Sequence, residues 1–309
     1  MTAGVRPIRV RAHAKINLEL RVGEIGPDRY HPLRTVFQSI ALHDVVEVRR
    51  RPGPFELTSD DPSLPTDGRN LVAQAAVRLW EATGRGGAPR GVAVRLVKHI
   101  PAQAGLGGGS ADAAAALAVL ARVWRARLDP AGLAALAAGI GADVPYFLTG
   151  GTALGLGRGD VIYPLQDIAP HVVVLALPAF GVSTAEAYGW FDEDRAVRLA
   201  SARVGAPLVT GLWPSSALSV GNDLEGPVAR RRPEIAAIKQ ALIAGGARAA
   251  AMTGSGSAVF GLFAGEARAR AAARAVAAEG YAAWLTRTVD RRACQRIHFP
   301  IAPSPARRA

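Results

Sequence analysis

Cysteine is nearly missing from this chain. One thiol, Cys294, in 309 residues excludes an internal disulfide and any cysteine-built metal centre, and agrees with a reducing compartment. Its arginine-rich surroundings near the C-terminus do not suit a catalytic thiol. No apolar run reaches the roughly 18 residues of a membrane span, and the opening MTAGVRPIRVRAHAKI carries no hydrophobic signal segment. A soluble, cytoplasmic protein without a membrane partner is the expectation. Lysine is scarce too, occurring only at positions 15, 98 and 239 among 37 basic residues. With none between 98 and 239, the glycine-rich segment near residue 105 cannot be a G-x-x-x-x-G-K-[ST] loop. The dinucleotide fingerprint also fails, because its third glycine position, counted from Gly105 and Gly107, is Ser110.

Arginine carries the net charge of +12 and is spread over the whole chain, with tight clusters only at 49–51, 230–232 and around Arg291, Arg292, Arg307 and Arg308. No interleaved aromatics or nucleic-acid motif accompany these clusters, so specific nucleic-acid binding is not expected. A basic surface that attracts phosphorylated small molecules is. The length and a 50% hydrophobic content suit two domains with sizeable cores.

What the chain does have is a glycine cluster where a strand meets a helix. Val92, Val94 and Leu96 alternate with Ala93 and Arg95 before Pro101, and Gly105, Gly107, Gly108 and Gly109 fall in the turn that follows. The spacing predicts a helix from Ser110, with Ser110 as N-cap, Asp112 in the first turn, and Leu117, Leu120, Val123, Trp124 and Leu128 on one face. Free N–H groups and the positive end of the helix dipole make such a turn an anion site. Each glycine costs about 1 kcal/mol in chain entropy relative to alanine. Close approach of the backbone to a phosphate chain accounts for that cost; capping of a tight turn is the alternative.

From Ile8 to Val22 every even position is apolar, and Lys15 and Asn17 share the polar face with His13. A lysine in a chain that writes its cations as arginine suggests a site for a compact ammonium; a solvent-facing lysine on a half-buried strand is the other reading, and His13 is read as structural. Asp143, in the run GADVPYF after Gly139 and Gly141, is either a helix cap or a chemical group.

Further strands are expected at 35–48 and 283–289, and in HVVVLALP and VFGLF. Helices are expected at 71–82, after the Asp129-Pro130 cap, after the Ser183/Glu186 capping box, at 227–243 and at 266–278. A second small-residue loop, TGSGSA, occupies 253–258. These elements alternate without a regular parallel β-α pattern, which indicates an α+β fold of two domains.

The glycine loop PAQAGLGGGSADAAAAL, with the later Thr-Gly-Ser-Gly-Ser loop, resembles the GHMP family of small-molecule kinases. AKINLEL at 14–20, DRYHPLRTVFQSIALHD at 28–44, GADVPYF at 141–147 and VSTAEAY at 182–188 are similar to members that phosphorylate the 2-hydroxyl of a cytidine-diphosphate-linked methylerythritol for non-mevalonate isoprenoid synthesis. The resemblance implies an N-terminal domain like domain 2 of ribosomal protein S5 over 1–163, a ferredoxin-like C-terminal domain over 164–290, and a basic, disordered tail over 291–309. It implies ATP as phosphate donor, with magnesium carried on the phosphates and no metal ligand from the protein. Asp143 is implied as the base and Lys15 as the catalytic ammonium. Pro101, Ala102, Gln103, Ala104, Gly105, Leu106, Gly107, Gly108, Gly109 and Ser110, with Asn70, are implied at ATP. Asn17, Tyr30, His31 and Tyr188 are implied at a substrate carrying a cytidine diphosphate group, with the two tyrosines stacking on the base and His31 bonding its edge. Two positions depart from the family pattern: Arg29 stands where glycine is usual, and Ala111 where a second serine is usual, removing one hydroxyl from the phosphate or magnesium-water contacts. Another GHMP alcohol kinase, and a basic RNA- or ribosome-associated protein on the same N-terminal fold, are the alternative readings.

Overall fold

The alternating segment at the N-terminus forms the strand it predicts, β1 (Ile8–Val22), and the rest of the molecule is assembled on both of its faces. A computed structural model describes residues 7–27, 29–201 and 220–298. After β1 come β2 (Leu33–Pro54), β3 (Glu56–Ser59), α1 (Leu71–Ala82), β4 (Arg90–Val97), α2 (Gly108–Val123), α3 (Pro130–Ile140), α4 (Val144–Thr149), β5 (Thr152–Leu156) and β6 (Val161–Pro164). The second half adds β7 (Val172–Leu177), α5 (Thr184–Ser201), β8 (Gly221–Asn222), α6 (Glu225–Arg231), α7 (Glu234–Ala244), β9 (Ala249–Met252), β10 (Val259–Phe263), α8 (Glu266–Ala278), β11 (Ala282–Arg287) and α9 (Arg291–His298).

One sheet runs β3-β4-β2-β1-β8, extended by β5 on β2 and β6 on β5. The other is antiparallel and runs β11-β7-β10-β9. Taken in chain order its strands stand 4-1-3-2, the split β-α-β order of ferredoxin-like folds. The expected two-domain α+β architecture is present.

The even positions of β1 divide among three cores. Val10 and Ala12 pack under α1 and α2, Ala14, Ile16 and Leu18 face Val173, Leu175 and Phe260 of the other sheet, and Leu20 and Val22 join the core around α6 and α7. Pairing with β2 shifts register between His13 and Lys15 and again between Asn17 and Glu19, as bulges do beside functional sites. Arg9 and Arg11 remain exposed, yet His13, Lys15 and Asn17 on the same sequence parity are buried. His13 is structural as expected, its Nδ1 donating to the Ile40 carbonyl at 3.0 Å.

Three expectations are corrected. Helix α2 begins at Gly108, not Ser110, because Gly107 takes the left-handed N-cap conformation (φ 73°, ψ 21°). The helix expected over 227–243 is two, α6 and α7, since Pro233 has no N–H to continue the ladder. The first part of the expected tail over 291–309 is the helix α9. Asp290 accepts from the Ala293 N–H at 2.6 Å, and the Arg291 guanidinium donates to the Thr152 and Leu165 carbonyls at 2.7 and 3.0 Å. That buries Cys294 and pushes its thiol pKa up, chiefly by desolvation. Residues 299–309 lie outside the described residues.

Helix α2 is buried from Ala111 to Leu120, which its run of alanines permits at close range. Its second turn carries Asp112, which with Asp44 of β2 grips Lys98 at the end of β4; Lys98 Nζ lies 2.5 Å from Asp112 Oδ2 and also pairs with Asp44. Asp44 further accepts from the His99 and Ile100 N–H groups, so this cluster ties the strand just ahead of the glycine loop to the helix just after it.

Burial, reinforced by the Asp44 charge against the opposing pull of Lys98, pushes the Asp112 carboxyl up to about 7 from 3.8. Between those values the folded chain holds a proton that the unfolded chain has released. Stability owed to this group is therefore complete below pH 4 and is lost as pH rises toward 7. Asp112→Asn, which keeps Lys98 paired with Asp44, should gain melting temperature relative to the parent chain as pH is raised from 5 to 8. Parallel melting curves that keep a constant offset would contradict this charge assignment.

Candidate active site

Two glycine loops interlock across β1. The first, between Pro101 and Gly107, buries Ala104 and Leu106 and leaves Ala102 and Gln103 exposed; the Lys15 N–H donates to the Leu106 carbonyl at 3.0 Å. The second, Thr253–Ala258, sits so close that a Cβ on Gly105 (φ 73°) would lie 2.1 Å from the Thr253 carbonyl oxygen. A Cβ on Gly107 would lie 2.6 Å from Phe147 Cζ. Both glycines are demanded by the protein's own packing. Gly109 differs, since its Cβ would meet nothing closer than Leu71 at 3.8 Å, and it lines the cavity below.

Asn17 is the junction of this arrangement. Its N–H donates to Thr253 Oγ1 at 3.0 Å, its Nδ2 donates to Thr35 Oγ1 at 2.7 Å, and its Oδ1 accepts from Lys15 Nζ at 2.7 Å. Lys15 is only 3% exposed. Desolvation pulls its pKa below the usual lysine value, while Asp143, 3.6 Å from Nζ, pulls it back up. Asp143 occupies the N-cap position of α4, yet its side chain makes no capping hydrogen bond. The cap reading therefore fails, and the carboxylate, about one-third exposed, faces the ammonium instead.

Lys15, Asn17, Asn70, the glycine loop, Asp143 and Tyr188 line one cavity of about 770 Å³. Asn70 lies there with its amide already committed: Oδ1 accepts from Val72 N–H, capping α1, and Nδ2 donates to the Pro65 carbonyl. A second cavity of about 580 Å³ adjoins it, lined by Tyr30, His31 and Tyr188. His31 stacks on Tyr188 with centroids 5.4 Å apart, donates from Nδ1 to the Gly23 carbonyl at 2.9 Å, and has Nε2 3.3 Å from Asp192. Burial and the Asp143 charge push the Tyr188 phenol up to about 12. Tyr30 is exposed, with the Arg158 guanidinium 5.1 Å above its ring.

The two departures resolve simply. Arg29 adopts φ 64°, so the turn keeps the glycine-like conformation. Ala111 is buried in the core with α1 and is not in the cavity wall, so a serine hydroxyl there would lie in the core. Sequence reasoning missed Thr253, Arg158 and the Asp44–Lys98–Asp112 cluster. The scarcity of lysine was a usable signal for the last, because all three lysines are paired with carboxylates. Among the described residues no group of three or more His, Cys, Asp or Glu side chains is arranged to hold a metal ion, and no helix is long and apolar enough to cross a membrane.

A left-handed glycine loop opening a buried helix, with a buried ammonium facing a carboxylate between an S5-like and a ferredoxin-like unit, defines a small-molecule kinase. Residues 70–151 match the GHMP kinases N terminal domain and residues 212–282 the GHMP kinases C terminal domain. The chain belongs to the GHMP kinase family, in its 4-diphosphocytidyl-2-C-methyl-D-erythritol kinase branch. It is 44% identical to the enzyme of that name from Anaeromyxobacter dehalogenans over 91% of this chain and 90% of that one. Identity to the one from Pelotomaculum thermopropionicum is 45%, over 82% and 88%. A crystal structure of 4-(cytidine 5'-diphospho)-2C-methyl-D-erythritol kinase superposes with a TM-score of 0.72 at 37% identity, covering 91% of this chain and 98% of that one. Homoserine kinase from Cytophaga hutchinsonii, at 19% identity and a TM-score of 0.68 over 94% and 96%, shares the fold.

The glycine geometry separates two roles. Gly105→Ala should lower the melting temperature, since its Cβ collides with backbone, whereas Gly109→Ala should melt like the parent and weaken ATP binding measured by calorimetry. Equal melting of the two variants would refute the distinction. Arg29→Gly should raise stability by up to about 1 kcal/mol through relief of the left-handed strain, read as a higher denaturant midpoint; a lower midpoint would show that Arg29 contributes contacts outweighing that strain.

Proposed function

We propose that this chain uses Lys15 and Asp143 to move the γ-phosphoryl group of ATP onto the 2-hydroxyl of 4-diphosphocytidyl-2-C-methyl-D-erythritol. The carrying observation is Asp143 itself: a carboxylate at a helix start that forgoes the cap and lies 3.6 Å from a buried lysine ammonium. Asp143 takes the hydroxyl proton as the alkoxide oxygen forms its bond to the γ-phosphorus, and the bond to the bridging oxygen of ADP breaks. Lys15, 3.6 Å from the base, balances charge on the transferring group. Asn17, by fixing the Lys15 ammonium, sets where that charge sits. Residues Pro101 to Ser110 hold the ATP phosphates at the start of α2, where the N–H groups and helix dipole favour an anion. Asn70, its side chain spent on capping, contributes to the wall of the nucleoside pocket. Magnesium carried on the ATP phosphates would supply further charge neutralisation.

Cytidine is assigned to the second cavity, with Tyr30 and Tyr188 as stacking faces. His31 holds the Tyr188 ring by its own stack; bonding to a base edge through Nε2 requires giving up Asp192. The alternative alcohols of other family members are disfavoured by the 37–45% identities to enzymes named for the cytidine-linked substrate, against 19% and 14% for homoserine and mevalonate kinases. An RNA-associated role has no structural support among the described residues. The division into units at 1–163 and 164–290 is likewise part of this proposal; β8 and α9 return from the second half to pack on β1.

Asp143→Asn should bind ATP and remain folded while losing about 10²–10⁴-fold in kcat. Lys15→Arg should not restore what Lys15→Met loses, because a planar fork does not fit a site enclosed by Asn17, Phe37 and Gly107. Phosphate transfer to the substrate within about threefold of the parent for Asp143→Asn would remove the assignment of the base.

A further inference from the structure

The two cavities meet along a short wall: Leu33, Ala142, Arg158, Thr184 and Tyr188 line both. Arg158 is the one charged side chain in that shared wall. It stands on the turn between β5 and β6, flanked by Gly157 (φ 69°) and Gly159 (φ 89°). Its Cζ lies 5.1 Å from the Tyr30 ring centroid, and its Nε is 3.7 Å from Asp160 Oδ2. At 3.7 Å that closest approach to Asp160 is too long for a hydrogen bond, so the carboxylate does not take up the fork's donors. The other cations of the larger cavity are committed: Lys15 to Asn17 and Asp143, Lys98 to Asp44 and Asp112, Arg69 to Asp67.

Resting on the substrate reading above, we infer that Arg158 binds the diphosphate that links the cytidine to the acceptor alcohol. With the base beside Tyr30 and Tyr188 and the hydroxyl at Asp143, the linker has to cross the shared wall. Asp143 lines the larger cavity and Asp192 the smaller, so a diphosphate passing from one to the other needs a cation to balance its charge. A guanidinium presents paired N–H donors that match phosphate oxygens, and stacking on Tyr30 orients it without consuming those donors. Recognition of the substrate is therefore divided between aromatic faces for the base and a cation for the linker, and Arg158 rejects uncharged-linker analogues.

The test uses cytidine and CDP as probes with the full chain, read by calorimetry, together with steady-state kinetics on the diphosphocytidyl substrate. Arg158→Ala should weaken CDP about 10- to 100-fold, leave cytidine within about threefold, and raise the substrate KM with kcat and the KM for ATP little changed. Arg158→Lys should recover part of the CDP affinity. The Arg158 side chain is 48% exposed, so melting curves of the variants should overlay the parent. Loss of cytidine and CDP affinity by the same factor would show that Arg158 merely props Tyr30, and unchanged CDP affinity would show that it touches no phosphate; either overturns the inference while the function above stands. A parent chain that binds neither probe overturns the substrate reading and this inference with it.

Discussion

The Lys15 ammonium is taken almost wholly out of water, and a lone buried charge is among the most expensive things a fold can contain. Its cost is offset by three partners: Asn17 two residues along β1, Asp143 at the start of α4, and the ring of Phe37 from β2. Asn17 is itself held by Thr35 and by Thr253 of the second glycine loop. The second glycine loop thus reaches the ammonium through Asn17. Gly105 fits closely against the Thr253 carbonyl, and the two loops beside the lysine leave no room for a side chain between them.

The same device recurs one step out. Lys98 is held by Asp44 and Asp112, and the Asp44 carboxylate also receives the N–H groups that lead into the glycine loop. A cation gripped by two carboxylates fixes the strand before the loop to the helix after it, so the loop is suspended between rigid supports. Such preorganisation matters for phosphoryl transfer, where the protein contributes mainly position and charge. The chain spends its three lysines on compact ion pairs and leaves arginine for surface charge and for forks, as at Arg158 and Arg291.

Local pattern made much of this legible in advance. The period-two run of β1, the Asp129-Pro130 cap and the Ser183/Glu186 box each depend on neighbours within one turn or strand, and each forms as read. The boundaries that moved did so for reasons outside that range. Gly107, left-handed and with no room for a Cβ beside Phe147, is the cap, and α9 stands where a charged tail was expected, tied by Arg291 to carbonyls on β5 and after β6.

By itself the sequence determined the kinds of elements, the glycine loop at a helix start, and the presence of a lysine and an aspartate suited to proton and phosphate chemistry, since periodicity and turn preferences act between near neighbours. It left open whether Asp143 caps a helix and whether Lys15 faces solvent. Tertiary structure decided both, by covering the second face of β1 and bringing α4 to within 3.6 Å of the ammonium. It also decided that Arg158 stands between two cavities, a position no spacing announces. The physical reason is common to all three: burial and electrostatic pairing depend on which distant segments come to share a surface, and spacing along one strand does not say which those are.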